Sequence, residues 1–369
     1  MSHNLRLILL VFASLLAGCS TVPEREPYDG PLSWPQPPDR PRFAYETMLR
    51  SSADIAFITK ESSLREKVTG IKAASNLPVM DKPTAIAAGY GMIYVVDTGA
   101  HKIVVFNIPA RRIFHIGVRT PGELSKPVGI SLDGDQNVYV VDTNLRKVMI
   151  YDGFGLFLRS VGDPKELQRP IGVAVSRDGE RIYVVDRSFN ESNQHRVLVY
   201  GKDGNKLQEI GTRGSEDGQF NIPLQAATGP DDTLYVLDSG NFRVQAFDAD
   251  GNFLRSFGSP GRAYGNFSRP RGIAVDDDGL VYVTDAGFNN FQIFNPEGQL
   301  LLAVGQGALE SNPGQYGMLS GIAVDETGRV YVVDQLFNKV EVIRRLSDSE
   351  GEQMLEEYKK HEKPASSSQ

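Results

Sequence analysis

The stretch 271–294, RGIAVDDDGLVYVTDAGFNNFQIF, decides the fold. It reads as three short strands, 272–275, 280–285 and 291–294, with Asp278-Gly279 supplying tight-turn chemistry between the first two. Versions of it recur along the chain and place the aspartate that ends the second strand at Asp97, Asp142, Asp186, Asp238, Asp285 and Asp334. Six copies, 44 to 52 residues apart, predict a closed array of sheet units, because one unit cannot bury both faces of its own sheet.

Working outward, the first strands fall at 84–88, 128–132, 171–175, 224–228, 271–275 and 320–324. Five of the six follow a proline: Pro83, Pro127, Pro170, Pro223 and Pro270. Proline has a fixed φ and no N–H, so it suits the first residue of a strand and little else in a sheet. Gly129, Gly172, Gly272 and Gly321 recur one place further on, with Ala85 and Gln225 in the remaining copies, as expected where strands crowd round an axis. The second strands, such as 93–96 and 138–141, are apolar on both faces, so both faces must pack against neighbouring sheets. Third strands follow at 103–106, 148–151, 197–200, 244–247, 291–294 and 340–343. A fourth ends at Gly117, Gly162, Gly211, Gly258 and Gly305, and after the sixth copy it is missing. The orphan strand 42–49 can fill that outer edge. The expected fold is therefore all-β, a six-bladed β-propeller over 42–346 whose N-terminal strand closes the last blade.

Proline, a small residue, Ile-Ala-Val, a turn glycine, Tyr-Val-x-Asp and a basic residue before Val-x-Val-Phe together resemble the NHL repeat, a family of six-bladed propellers. The resemblance covers about 82–346, and the stretch 35–43, PQPPDRPRF, resembles the opening of bacterial lipoprotein members. That family includes protein-binding and RNA-binding modules, extracellular sensor domains and a zinc lyase, so the resemblance implies the fold and leaves the activity to the site.

The N-terminus reads as a processing segment. Arg6 precedes an apolar run over 7–16, and Leu16-Ala17-Gly18-Cys19 resembles the bacterial lipoprotein cleavage box. This implies a signal peptide over 1–18 and lipidation of Cys19, the single cysteine of the chain. Each acyl CH₂ contributes about 0.8 kcal/mol of membrane attachment, so several chains make a durable anchor. Ser20, where retained lipoproteins commonly carry aspartate, implies sorting to the outer membrane. Residues 19–41 are expected to form an extended tether, Ser62 or Ser63 could cap a short helix through Val68, and 347–369 reads as a polar tail.

Charge and site chemistry narrow the function. With 39 Lys+Arg against 46 Asp+Glu, a formal charge of −7 opposes broad attraction to nucleic acid, and no nucleic-acid partner is expected. The zinc lyase resembled here places histidines just after the proline, where this chain has Thr84, Val128, Ile171, Leu224, Arg271 and Ser320. No metal or other cofactor is expected, and His101 and His195 read as loop structure. The six strand-ending aspartates read as turn acceptors, with Lys102, Lys147, Arg196, Arg243 and Lys339 opposite them in five hairpins. Asp276-Asp277-Asp278-Gly279 reads as a solvated hairpin rather than a calcium loop.

What remains is a surface. The loop after each second strand and the approach to each first strand open on one face, and Phe189, Phe242, Phe288 and Phe337 fall there beside asparagines, with Arg146, Arg187 and Arg271 for charge. The expected function is a non-catalytic, lipid-anchored, monomeric propeller that binds a protein or polysaccharide in the bacterial cell envelope. The alternative is a hydrolase or lyase, lactonase-like or amidating-lyase-like, with an atypical axial site.

Overall fold

The computed structural model describes residues 30–55, 77–188 and 192–361. The signal segment with Cys19, the helix expected at 62–68, and Phe189 lie outside the described residues. Six antiparallel sheets are arranged in a ring, and each inner strand packs against that of the next blade, the sixth against the first. Blade one runs Pro83–Gly89, Met92–Asp97, Lys102–Asn107 and Arg112–Ile116 from the axis outward. Blades two to five repeat the order with inner strands Pro127–Leu132, Pro170–Val175, Pro223–Thr228 and Pro270–Val275. The inner strand thus begins on the proline itself, whose missing N–H costs no ladder bond there.

Crowding at the axis explains the glycine that follows. A Cβ on Gly172 would lie 2.6 Å from the Leu224 carbonyl oxygen, and one on Gly272 would lie 2.5 Å from that of Ser320. The inner strands therefore approach backbone to backbone, closer than a side chain allows. The second and third strands are buried on both sides and supply the six clusters wedged between blades.

The ring closes as the missing fourth strand requires. Phe43–Leu49 pairs antiparallel with Lys339–Arg345 on the outer edge of blade six, from Phe43 opposite Arg345 to Leu49 opposite Val340. Two features were not visible in the sequence. Ser33–Trp34 adds a further short strand outside Phe43–Leu49, and Trp34 packs on the core between blades five and six, although this segment reads as tether. A two-residue strand among prolines has no periodicity to reveal it. The stretch that reads as polar tail contains the helix Asp348–His361. Ser347 Oγ accepts from the Glu350 N–H at 3.3 Å and the Ser347 N–H donates to Glu350 Oε2 at 2.8 Å, a reciprocal cap that starts it.

Blade six also carries a buried ion pair. In blades four and five Gln245 and Gln292 accept the Gly218 and Gly265 N–H groups at 2.9 and 2.6 Å. Glu341 takes that place and accepts from the Gly314 N–H at 3.0 Å, so its second oxygen needs a cation. Lys339 provides one, with Nζ 2.5 Å from Oε1 and both side chains fully buried. Breaking a buried pair strands a charge at a cost of about 3–5 kcal/mol. Lys339→Met or Glu341→Gln alone should lower stability to urea by that amount. The double change Lys339→Asn/Glu341→Gln reproduces the Asn290 and Gln292 of blade five and should restore most of it.

Candidate binding site

The six strand-ending aspartates are completely buried. Asp285 accepts N–H groups from Gly287 at 2.7 Å and Phe288 at 3.2 Å in its own loop, and from Ser268 at 2.7 Å and Arg269 at 3.0 Å. Asp97 and Asp334 do the same with Asp81 and Lys82, and with Gly317 and Met318. The turn role expected of these carboxylates is half of what they do. The other half ties down the two residues before the inner strand, so one carboxylate sets the geometry of both loops on this face. The opposed basic residues stand in register, Asp97 with Lys102 and Asp238 with Arg243. Only Arg196 and Arg243 come within ion-pair distance of their aspartates, at 3.7 and 3.0 Å.

The residue after the aspartate faces the next blade. Thr98, Thr143 and Ser239 donate their hydroxyls to the carbonyls of Pro127, Pro170 and Pro270 at 2.8, 2.8 and 3.0 Å. In blade three this place is held by Arg187. The residue before the inner-strand proline is basic in four blades, at Lys82, Lys126, Arg169 and Arg269. Arg169, Arg187 and Arg271 converge on a funnel of about 190 Å³ at the axial mouth. Thr84, Ser320, Gln225 and Gln335 share its wall with the apolar Val128, Ile171 and Leu224, and among the described residues no carboxylate lines it.

Among the described residues these cations have no counter-ion. None of Lys82, Lys126, Arg169, Arg187, Arg269 and Arg271 has a carboxylate oxygen within 4.0 Å among the described residues. Arg187 Nε is buried with no hydrogen-bond partner among the described residues. Burial, then Arg169 and Arg271, pull the Arg187 guanidinium below its ordinary pKa, and burial, then Arg269, does the same to Arg271.

The opposite mouth has the reverse sign. Asp133, Asp276, Asp277, Asp325 and Glu326 line it with Arg177. Three of these carboxylates are committed to hairpins: Asp133, Asp276 and Asp325 accept the hydroxyls of Tyr139, Tyr282 and Tyr331 at 2.9, 2.8 and 2.7 Å. Asp276 also accepts the N–H groups of Asp278 and Leu280, which makes 276–279 a turn.

The residues expected to form a binding rim are only partly brought together. Arg187 and Arg271 meet in the funnel. Arg146 is exposed and donates to the Pro164 carbonyl at 3.3 Å, outside the funnel lining. Phe242, Phe288 and Phe337 are half-buried beyond the funnel. Phe242 takes a left-handed position at φ 56°, the place held by Asn289 and Asn338, so Phe288 and Phe337 sit one residue earlier in their loops. Sequence reasoning missed Arg169 and Gln225. The recurrence of Lys or Arg directly before the proline was the available signal.

His101 is exposed, whereas His195 is buried with Nδ1 accepting the Ile222 N–H at 3.1 Å. Among the described residues no group of three His, Cys, Asp or Glu is placed to hold a metal ion.

Known proteins resemble this chain in part. A family model of the NHL repeat matches residues 267–294, the stretch around which the repeats were found. The Protein brain tumor of Drosophila melanogaster is 28% identical over 94 residues, which is 24% of this chain and 9% of that protein. The chain thus spans less than a tenth of that relative. Among solved structures, the virginiamycin B lyase from Staphylococcus aureus superposes with a TM-score of 0.52 at 16% identity, covering 72% of this chain and 95% of that one. A gluconolactonase from Xanthomonas campestris gives 0.55 at 18% identity, covering 82% and 98%. At these identities the likeness is one of fold.

Proposed function

We propose that this NHL-type propeller is a non-catalytic binding module, held at the bacterial outer membrane by lipidated Cys19, whose envelope partner docks on the face that bears the axial funnel. One observation carries the reading: Arg169, Arg187 and Arg271, with no counter-ion among the described residues, line that mouth together with hydroxyl, amide and aliphatic groups. A guanidinium donates hydrogen bonds and accepts none, so this set recognises and holds an anion but offers no base for proton transfer. The half-buried Phe288 and Phe337 border the same face and supply apolar area for a partner.

Two variants test the reading in cells. Cys19→Ser should shift the protein from the membrane to the soluble fraction without lipid uptake. Phe288→Ala/Phe337→Ala should lose envelope capture by crosslinking while the melting curve falls only modestly. Half-buried rings have less to lose than the about 3–5 kcal/mol of a fully buried phenylalanine. Persistent membrane lipidation of the first variant, or a collapse in melting temperature without selective loss of capture in the second, would count against the proposal.

The second reading, a hydrolase or lyase, draws on the solved neighbours, which include a lyase and a gluconolactonase. A stoichiometric transition metal in purified protein, together with turnover of a lactone, would favour it.

A further inference from the structure

We propose that the axial funnel captures the free C-terminal carboxylate of a peptide, with the last, apolar side chain of that peptide against Val128, Ile171 and Leu224. This rests on the binding reading above and adds the chemistry of the ligand's leading group.

The guanidinium groups of Arg169, Arg187 and Arg271 enter one space from three different places in the repeat: the approach to blade three, the loop after its second strand, and the inner strand of blade five. At about 190 Å³ the space is smaller than the roughly 300–1,000 Å³ of pockets that enclose a drug-sized ligand. It admits an end group and leaves the rest of the ligand on the face outside. Crowded like charges lower the stability of the empty protein, and the buried Arg187 Nε has no acceptor among the described residues. Buried donors in native proteins are nearly always satisfied, so an acceptor from outside the chain is the natural complement. A carboxylate offers two oxygens and pairs with guanidinium groups bidentately. Burial and the neighbouring arginines already depress the Arg187 pKa, as a site short of negative charge would.

The remaining wall selects among carboxylate bearers. Val128, Ile171 and Leu224 present aliphatic surface, and among the described residues no aromatic ring lines the funnel to stack on a sugar. The aliphatic part of the wall favours a ligand with an apolar group beside its carboxylate over a uronate, whose ring carries hydroxyls on every side. A peptide end places its last side chain there, and its amide can reach Gln225 or Ser320 beside the arginines. The protein as a whole carries −7, and Asp277 and Glu326 stand at the far mouth, so an anionic chain end is repelled elsewhere and drawn to this one.

The test is calorimetric titration of the full-length protein in detergent with N-acetyl-Ala-Ala-leucine as free acid, the same peptide as C-terminal amide, and sodium glucuronate. The free acid should bind at least about tenfold more tightly than the amide, and Arg187→Gln or Arg271→Gln should each weaken it by about tenfold or more. Both variants should also melt at or above the wild-type temperature, because each removes a repelling charge from the empty funnel. Equal binding of acid and amide, binding of glucuronate alone, or no binding of any probe would overturn the proposal. So would arginine variants that melt lower yet bind unchanged. If the titration fails while Phe288→Ala/Phe337→Ala still loses envelope capture, the binding face stands without the carboxylate site. If the peptide acid binds and that capture is unaffected, the funnel stands and the wider face fails.

Discussion

Phe43→Ala/Leu49→Ala should leave a chain with no stable folded state at 37 °C. Phe43 is 5% exposed and packs between blades five and six, and Leu49 is 2% exposed and packs between blades six and one. Deleting a fully buried phenylalanine costs about 3–5 kcal/mol and a leucine about 2–5. The two sites lie in separate clusters, so the losses should nearly add, to roughly 5–10 kcal/mol. A domain is stable by only about 5–15 kcal/mol, so this is most of the total. Removing residues 43–49 outright goes further, because it also frees the outer edge of Lys339–Arg345 to pair with other chains. Urea unfolding followed by circular dichroism, with light scattering for aggregation, checks both. An unchanged midpoint for the double variant would show that the strand does not close the ring.

The second large effect is expected at Asp285→Ala. Four backbone N–H groups converge on this carboxylate, from Ser268, Arg269, Gly287 and Phe288. Each buried donor left unsatisfied costs about 1–3 kcal/mol, so the change should remove at least about 4 kcal/mol. Asp285→Asn keeps one accepting oxygen and should lose about half as much. The loops before and after blade five's inner hairpin should loosen together, read as faster amide exchange at Arg269 and Phe288 in the same variant. If exchange rose in one loop only, the carboxylate would not be the link between them. Asp276→Ala is a useful contrast. It removes a carboxylate at the opposite mouth that accepts the Tyr282 hydroxyl and two N–H groups of its own hairpin, with Arg345 of blade six 3.6 Å away, and that ties no second loop by backbone N–H bonds.

The repeat was legible because its signals are local. Pro270 at a strand start, Gly279 in a turn at φ 78° and the continuously buried run 281–285 each act within a few residues. Six copies multiplied a weak signal into a fold, and counting strands exposed the vacancy that Phe43–Leu49 fills. The strand Ser33–Trp34 and the helix Asp348–His361 escaped because each occurs once and repeats nothing. The aspartates were read correctly as turn acceptors, yet their bonds to residues 15 to 18 positions earlier were not, since those depend on the inner strand returning beside the second.

The site divides along the same line. By itself the sequence determined the six blades, the strand order within each, the closing strand and the face on which the loops gather, because hydrogen bonding and burial within one hairpin follow from neighbouring residues. Only the tertiary structure decided that Arg169, Arg187 and Arg271 share one funnel. They hold three different slots of the repeat, before the proline, after the aspartate and after the proline, and aligning the copies sets them in separate columns. What unites them is the axis. Closing the ring points the tops of all six inner strands at one small volume, and charges far apart along the chain become neighbours there.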